Sequence, residues 1–171
     1  MHVMIATDGS LDANRAAQLA ALLAGDDGRV TVYTAIEVPR RLLDEMRRAA
    51  THPIDDEKVQ ELSVEYRHDQ AGDPPVTHWA GDDAVLSRYV DRHVRERTAD
   101  LAAAIEQTGV SYTVVGEEGE HPARLVLEAV RNNDVDVLCL GTHGLGRFEG
   151  LLGSISTKLA RLSPCSVMLV R

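Results

Sequence analysis

Val135-Asp136-Val137-Leu138-Cys139-Leu140 runs directly into Gly141-Thr142-His143-Gly144-Leu145-Gly146-Arg147-Phe148-Glu149-Gly150-Leu151-Leu152-Gly153-Ser154. The first six residues are apolar except for Asp136, which suits a strand buried on both faces. Five glycines in the thirteen positions from Gly141 to Gly153 let backbone N–H groups converge at close range. A helix is expected from about Ser154 to Leu162. Its free first amides and its dipole attract anions, and Ser154 either caps the helix or donates its hydroxyl to a phosphate. A strand, a glycine loop and a helix in this order belong to an open α/β sheet, which binds ligands at the carboxyl ends of its strands. The same glycines also suit a loop that only caps a helix. The segment is not a Walker A loop, because no Gly-Lys-Ser/Thr closes it. Nor is it a dinucleotide fingerprint, because Gly144-Leu145-Gly146 follows a late strand and no glycine stands at 149.

Outward from this segment the chain alternates strands and helices. His2–Thr7 reads as a short buried strand, Asp8-Gly9-Ser10 as a turn, and Leu11, Ala16, Leu19, Ala20 and Leu23 as the apolar stripe of a helix ending at Gly25–Gly28. Val30–Ile36 is a β-branched strand. The stretch 37–81 carries Pro39, Pro53, Pro74 and Pro75 and reads as an excursion from the sheet, with helical pieces near 42–50 and 56–68. A long helix is expected from Asp83 to Gln107, then a strand at Val110–Val115. Pro122 opens a helix with Leu125, Val126, Ala129 and Val130 on its apolar face. Ser166–Arg171 is the last strand. The pattern β-α-β-(excursion)-α-β-α-β-α-β implies right-handed crossovers. The expected architecture is an open, doubly wound, parallel five-stranded sheet, order 3-2-1-4-5, helices on both faces, in a single domain spanning 1–171.

Composition narrows the role. The net charge of -9 opposes nucleic acid phosphates, so no DNA or RNA partner is expected. Of 18 basic residues only Lys58 and Lys158 are lysines, a balance common in salt-adapted proteins and in chains from GC-rich genomes. With one Phe and one Trp, the core must be built from Ala, Val, Leu and Ile. Cys139 and Cys165 sit in apolar runs without CxxC spacing, so they read as structural thiols rather than zinc ligands or a disulfide. No signal peptide or membrane-length apolar run is evident, which gives the cytoplasm as the expected location and no membrane partner.

Three segments together resemble the universal stress protein family. Its pattern G-x2-G-x9-G-[S/T] is matched at Gly141, Gly144, Gly153 and Ser154. Ala6-Thr7-Asp8-Gly9-Ser10 resembles the family's opening turn, and Ser163–Arg171 its closing strand. One spacing departs: eight residues, Leu145–Leu152, separate Gly144 from Gly153 where the ATP-binding pattern has nine. The resemblance implies ATP as the ligand, with any Mg2+ arriving on the phosphates. It implies Asp8 and Ala35 at the base, with Thr7 beside Asp8 among the cofactor-binding residues. Leu140, Gly141, His143 and Gly144 would surround the ribose and first phosphates, and Gly153, Ser154 and Ile155 the outer ones. Asp8 also reads as a helix-capping turn residue, and His143 as a loop residue supplying backbone. Arg147, the basic residue of the loop, either neutralises phosphate or is solvated.

No nucleophile–base pair, paired carboxylates or metal cluster is recognisable, so the chain is expected not to be an enzyme beyond slow ATP hydrolysis. A small hydrolase or transferase on the related α/β architecture is the weakest reading, and two function classes stand above it. One is an ATP-binding, nucleotide-responsive regulatory protein. The other is a dimeric interaction module that does not bind ATP, a class the eight-residue spacing favours. In both, the resemblance implies a homodimer through the apolar C-terminal strand Val167–Val170, an edge that tends to pair.

Overall fold

The computed structural model describes residues 1–38, 81–142 and 153–171, with side chains from 86 onward in the second stretch. The chain divides into two compact units, Met1–Glu37 with Val90–Arg171, and Val38–Tyr89. The helical pieces expected near 42–50 and 56–68 lie outside the described residues. In the second unit, helix is described from Gly81 onward.

The first unit contains strands β1 (His2–Ala6), β2 (Arg29–Ile36), β3 (Tyr112–Glu118), β4 (Val137–Gly141) and β5 (Ser166–Val170). The helices are α1 (Ala13–Ala24), α2 (Gly81–Glu106), α3 (Pro122–Asn132) and α4 (Ser154–Leu162), of which α2 enters this unit at Val90. The strands form one sheet in the order β3-β2-β1-β4-β5. Every neighbouring pair is parallel, as the alternation of elements requires. On one face Val3, Ile5, Val30, Val32 and Cys139 pack against Ala16, Ala17 and Ala20 of α1 and Leu101 and Ile105 of α2. On the other, Met4, Tyr33, Leu138 and Leu140 pack against Val126, Leu127 and Val130 of α3 and Leu159 of α4. Burial on both faces explains why β1, β2 and β4 read as continuous apolar runs.

Among the elements whose bounds differ from the sequence expectation, two have a clear local cause. Helix α1 starts at Ala13, because Asp12 is its cap and its carboxylate accepts from the Arg15 N–H at 2.9 Å. Leu11 therefore precedes the helix, although it still packs on the core. Strand β3 is displaced toward the C-terminus, because β2 runs to Ile36 and pairs with Gly116, Glu117 and Glu118 in succession. Gly116 is needed there: a Cβ at that position would lie 2.0 Å from Val94 Cγ2 of α2.

Candidate nucleotide site

β1 and β4 are neighbours, and Ala6 pairs with Leu140. The chain therefore leaves the sheet side by side, at Thr7 and at Gly141. Strand order alone brings Asp8 and Gly141 to one end of the molecule despite their separation in sequence. Connections leaving two adjacent strands in opposite directions open a crevice between them.

On the β1 side, the turn is held by its own short polar side chains. The Gly9 N–H donates to Thr7 Oγ1 at 2.9 Å, the Ser10 N–H donates to Asp8 Oδ1 at 3.0 Å, and the Ser10 hydroxyl donates to the same oxygen at 2.5 Å. Asp8 is exposed and does not cap α1; its carboxylate accepts both Ser10 bonds on Oδ1. Gly9 has φ +91°, the left-handed region that disfavours side chains.

Ala35 follows from strand parity. The Thr7 N–H donates to the Tyr33 carbonyl at 2.9 Å, so the backbone groups of Tyr33 face β1. The Gly119 N–H donates to the Ile36 carbonyl at 3.0 Å, so the even residues face β3. Ala35, two residues after Tyr33, turns its N–H and C=O toward the β1 side, and the paired register there has already ended at Ala6 and Tyr33. One donor and one acceptor thus stand side by side beyond the end of β1. The methyl of Ala35 packs on the opposite core, so its backbone rather than its side chain is what this end of the sheet presents. Leu140 is similar: its side chain is buried core, and only its backbone reaches this end.

On the β4 side, the Thr142 N–H donates to the Val170 carbonyl at 3.1 Å, and the Gly153 N–H donates to the Thr142 carbonyl at 3.1 Å. The Ser156 hydroxyl donates to the Gly141 carbonyl at 2.8 Å. These bonds clamp the start of α4 to the end of β4. Gly153 is the cap of α4 and makes no side-chain cap bond, while the first intrahelical bond is the Thr157 N–H to the Gly153 carbonyl at 2.8 Å. Ser154 is the first helical residue and does not cap the helix, because a cap residue must precede the first turn. The N–H groups of Ser154, Ile155 and Ser156 are those a helix leaves without intrahelical partners. Ser154 and Ile155 are exposed. His143, Gly144 and Arg147 lie outside the described residues.

The structure adds Arg97, a residue the sequence reading passed over. Its Nη1 donates to the Ala35 carbonyl at 3.0 Å. The available signal was position: Arg97 stands three residues after Val94 and four before Leu101, so an arginine interrupts the buried stripe of α2. Around the site, burial and then the bond to Glu117 hold the Tyr33 phenol well above its ordinary range, and its hydroxyl donates to Glu117 Oε2 at 2.7 Å. Cys139 is wholly buried, which pushes its thiol up to about 11, with Cys165 adding to the shift, so it is a packing residue. Among the described residues no group of three or more His, Cys, Asp or Glu is placed to hold a metal ion. No described helix is long and apolar enough to cross a membrane.

The model of the universal stress protein family matches residues 1–171. The chain belongs to that family. A universal stress protein of Methanothermobacter thermautotrophicus is 38% identical over 66 residues, which is 39% of this chain and 44% of that relative. The aligned part thus spans less than half the relative's length. Among solved structures, a universal stress protein family protein of Arabidopsis thaliana with AMP bound has a TM-score of 0.53 at 14% identity, covering 99% of this chain and 90% of that one. The universal stress protein of Archaeoglobus fulgidus in complex with dAMP has a TM-score of 0.51 at 16% identity, covering 100% and 98%. At these identities the structural likeness establishes a shared α/β fold.

Proposed function

We propose that this universal stress protein binds an adenine nucleotide, ATP in its working form, at the crevice between β1 and β4 and acts as a nucleotide-responsive regulator. One observation carries the reading. Helix α4 opens on a glycine with no capping side chain, and its start is clamped to the end of β4, the strand paired with β1, which leads into the Asp8 turn. An uncapped helix start is an anion site, and phosphate suits it. Thr7, Asp8 and the N–H and C=O of Ala35 suit the base, because a paired donor and acceptor match the amine and ring nitrogen of adenine. The backbones of Leu140 and Gly141, with His143 and Gly144, fall to the ribose and first phosphates. Gly153, Ser154 and Ile155 take the outer phosphates, and Arg147 their charge. AMP and dAMP in structural neighbours support the ligand class. Any Mg2+ arrives on the phosphates, and catalysis is limited to slow hydrolysis. The reading also places the protein in the cytoplasm as one functional domain of 1–171.

Thermal unfolding with and without ATP and magnesium tests this. Ligand at 100 times its Kd stabilises by about 2.7 kcal/mol, a rise of roughly 5–10 °C for a domain this size. No rise at millimolar ATP overturns the reading.

The spacing of eight residues between Gly144 and Gly153 favours a second reading, a dimeric interaction module without nucleotide. Both readings use a homodimer through β5, an edge strand on which Leu169 is 43% exposed. Native mass spectrometry of freshly purified protein separates them: a dimer carrying nucleotide mass supports the first, a bare dimer the second. A monomer removes the edge-pairing idea.

A further inference from the structure

We infer that Arg97 sets the base preference of this site, acting through the carbonyl of Ala35. The inference rests on the nucleotide reading above and concerns what the base must carry at its sixth position. Two independent observations bring Arg97 to the base end. Its Nη1 donates to the Ala35 carbonyl at 3.0 Å. A Cβ built on Gly9 would lie 3.3 Å from the Arg97 Cα, so the Asp8 turn and the backbone of α2 approach closely at this residue. Gly9 holds φ +91° there. Asp8, Ala35 and Arg97 therefore border the same end of the crevice, and all three belong to the same compact unit.

The chemistry follows from what the carbonyl has left to offer. A purine with an amine at position six needs an acceptor, and the Ala35 carbonyl is the backbone acceptor facing that side. One of its lone pairs already takes a bond from a guanidinium, a charge-assisted bond stronger than a neutral one. The amine must share that oxygen with a cation beside it. A purine with a keto oxygen at position six meets the opposite arrangement. Its oxygen accepts from the guanidinium, which carries five N–H donors in a planar fork, and its ring N–H donates to the carbonyl. Arg97 thus broadens the site from adenine toward 6-keto purines. Sites that hydrogen-bond one functional group reject its mismatch strongly, so the effect is large enough to measure.

AMP and inosine monophosphate form the probe pair, because they differ at position six and the ring nitrogen beside it. Calorimetric titration of the whole protein measures both. Arg97→Met keeps much of the apolar stem and removes the fork. It is expected to tighten AMP, weaken inosine monophosphate and move their affinity ratio about tenfold toward AMP. Arg97→Lys keeps one charged donor for the carbonyl but not the planar fork. Its inosine monophosphate affinity should fall as in the Met variant, while AMP stays near wild type. An unchanged ratio, with both ligands weakened alike, would make Arg97 a structural residue and overturn the inference while leaving the nucleotide reading intact. Wild-type protein that binds neither ligand at millimolar concentration would overturn both.

Discussion

The two ends of the sheet are built from the same five strands and finish in opposite ways. At the amino-terminal end, polar groups are paired within the protein. The His2 ring is 7% exposed, with Nδ1 2.9 Å from the Asn133 carbonyl and Nε2 2.8 Å from Thr31 Oγ1. The His2 N–H donates to Asp136 Oδ2 at 2.7 Å, and the Asp136 N–H donates back to the His2 carbonyl at 3.0 Å. At the carboxyl end, Ala35 overhangs β1, the Asp8 turn is exposed and α4 starts on an uncapped glycine. One end pairs its polar groups between elements beneath the surface, and the other pairs them mostly within its own turns and through Arg97, with Asp8, Ser154 and Ile155 exposed. On the proposed function, stability should depend on the first end and nucleotide affinity on the second.

The sharpest way to break that contrast is His2→Ala. It takes the nearer partner from the buried Thr31 hydroxyl and from the Asn133 carbonyl, leaving the longer contacts with Thr113 Oγ1 at 3.5 Å and Arg29 Nη2 at 3.4 Å, and should cost about 2 kcal/mol in urea unfolding. AMP affinity should stay within about twofold, since the ring is at the far end. A tenfold loss of affinity would join the two ends. Asp8→Ala should do the reverse. Its effect on unfolding should be about 0.5 kcal/mol or less, as at other exposed positions, while AMP affinity falls about tenfold by titration. A large unfolding cost would make the turn a structural element.

Tyr33 sharpens the boundary between the two behaviours. Tyr33→Phe removes the bond to Glu117 and should cost about 1 kcal/mol at pH 7. The folded phenol titrates above its ordinary value of 10.0, because burial and Glu117 disfavour the anion. The unfolded protein therefore releases that proton first. The contribution is whole below pH 10 and declines as pH rises beyond it. Denaturation between pH 9 and 11 should show wild type losing its margin over the Phe variant. The smallest effect concerns Cys139. With its thiol pushed up to about 11 and no exposure, it should resist iodoacetamide at pH 8 in native protein, whereas the partly exposed Cys165 reacts. Rapid alkylation of Cys139 would mean that the sheet opens locally between α1 and β4.

Sheet order and most elements were legible because apolar runs buried on both faces have few alternatives, as in Val3–Ile5 and Val137–Leu140. The misreadings fall where that pressure is absent. Gly116-Glu117-Glu118 looks like a loop in sequence, yet it pairs with β2, because an edge strand needs only its backbone to match. Asp8, Ser10 and Asp12 are chemically similar as capping residues, and only the backbone geometry selects Asp12. The convergence of Asp8 with Gly141 could be read from strand order. The bond from Arg97 to Ala35 could not, because it joins a helix position to a strand carbonyl 62 residues away.

The bond from the Gly153 N–H to the Thr142 carbonyl has an evolutionary corollary. It pinches the chain at a neck, so the number of residues between the two sides is uncoupled from where α4 begins. Lengthening such a closed segment by one residue changes its closure entropy by only about 0.1 kcal/mol. Relatives are then free to gain or lose residues there while the strand and the helix keep their places.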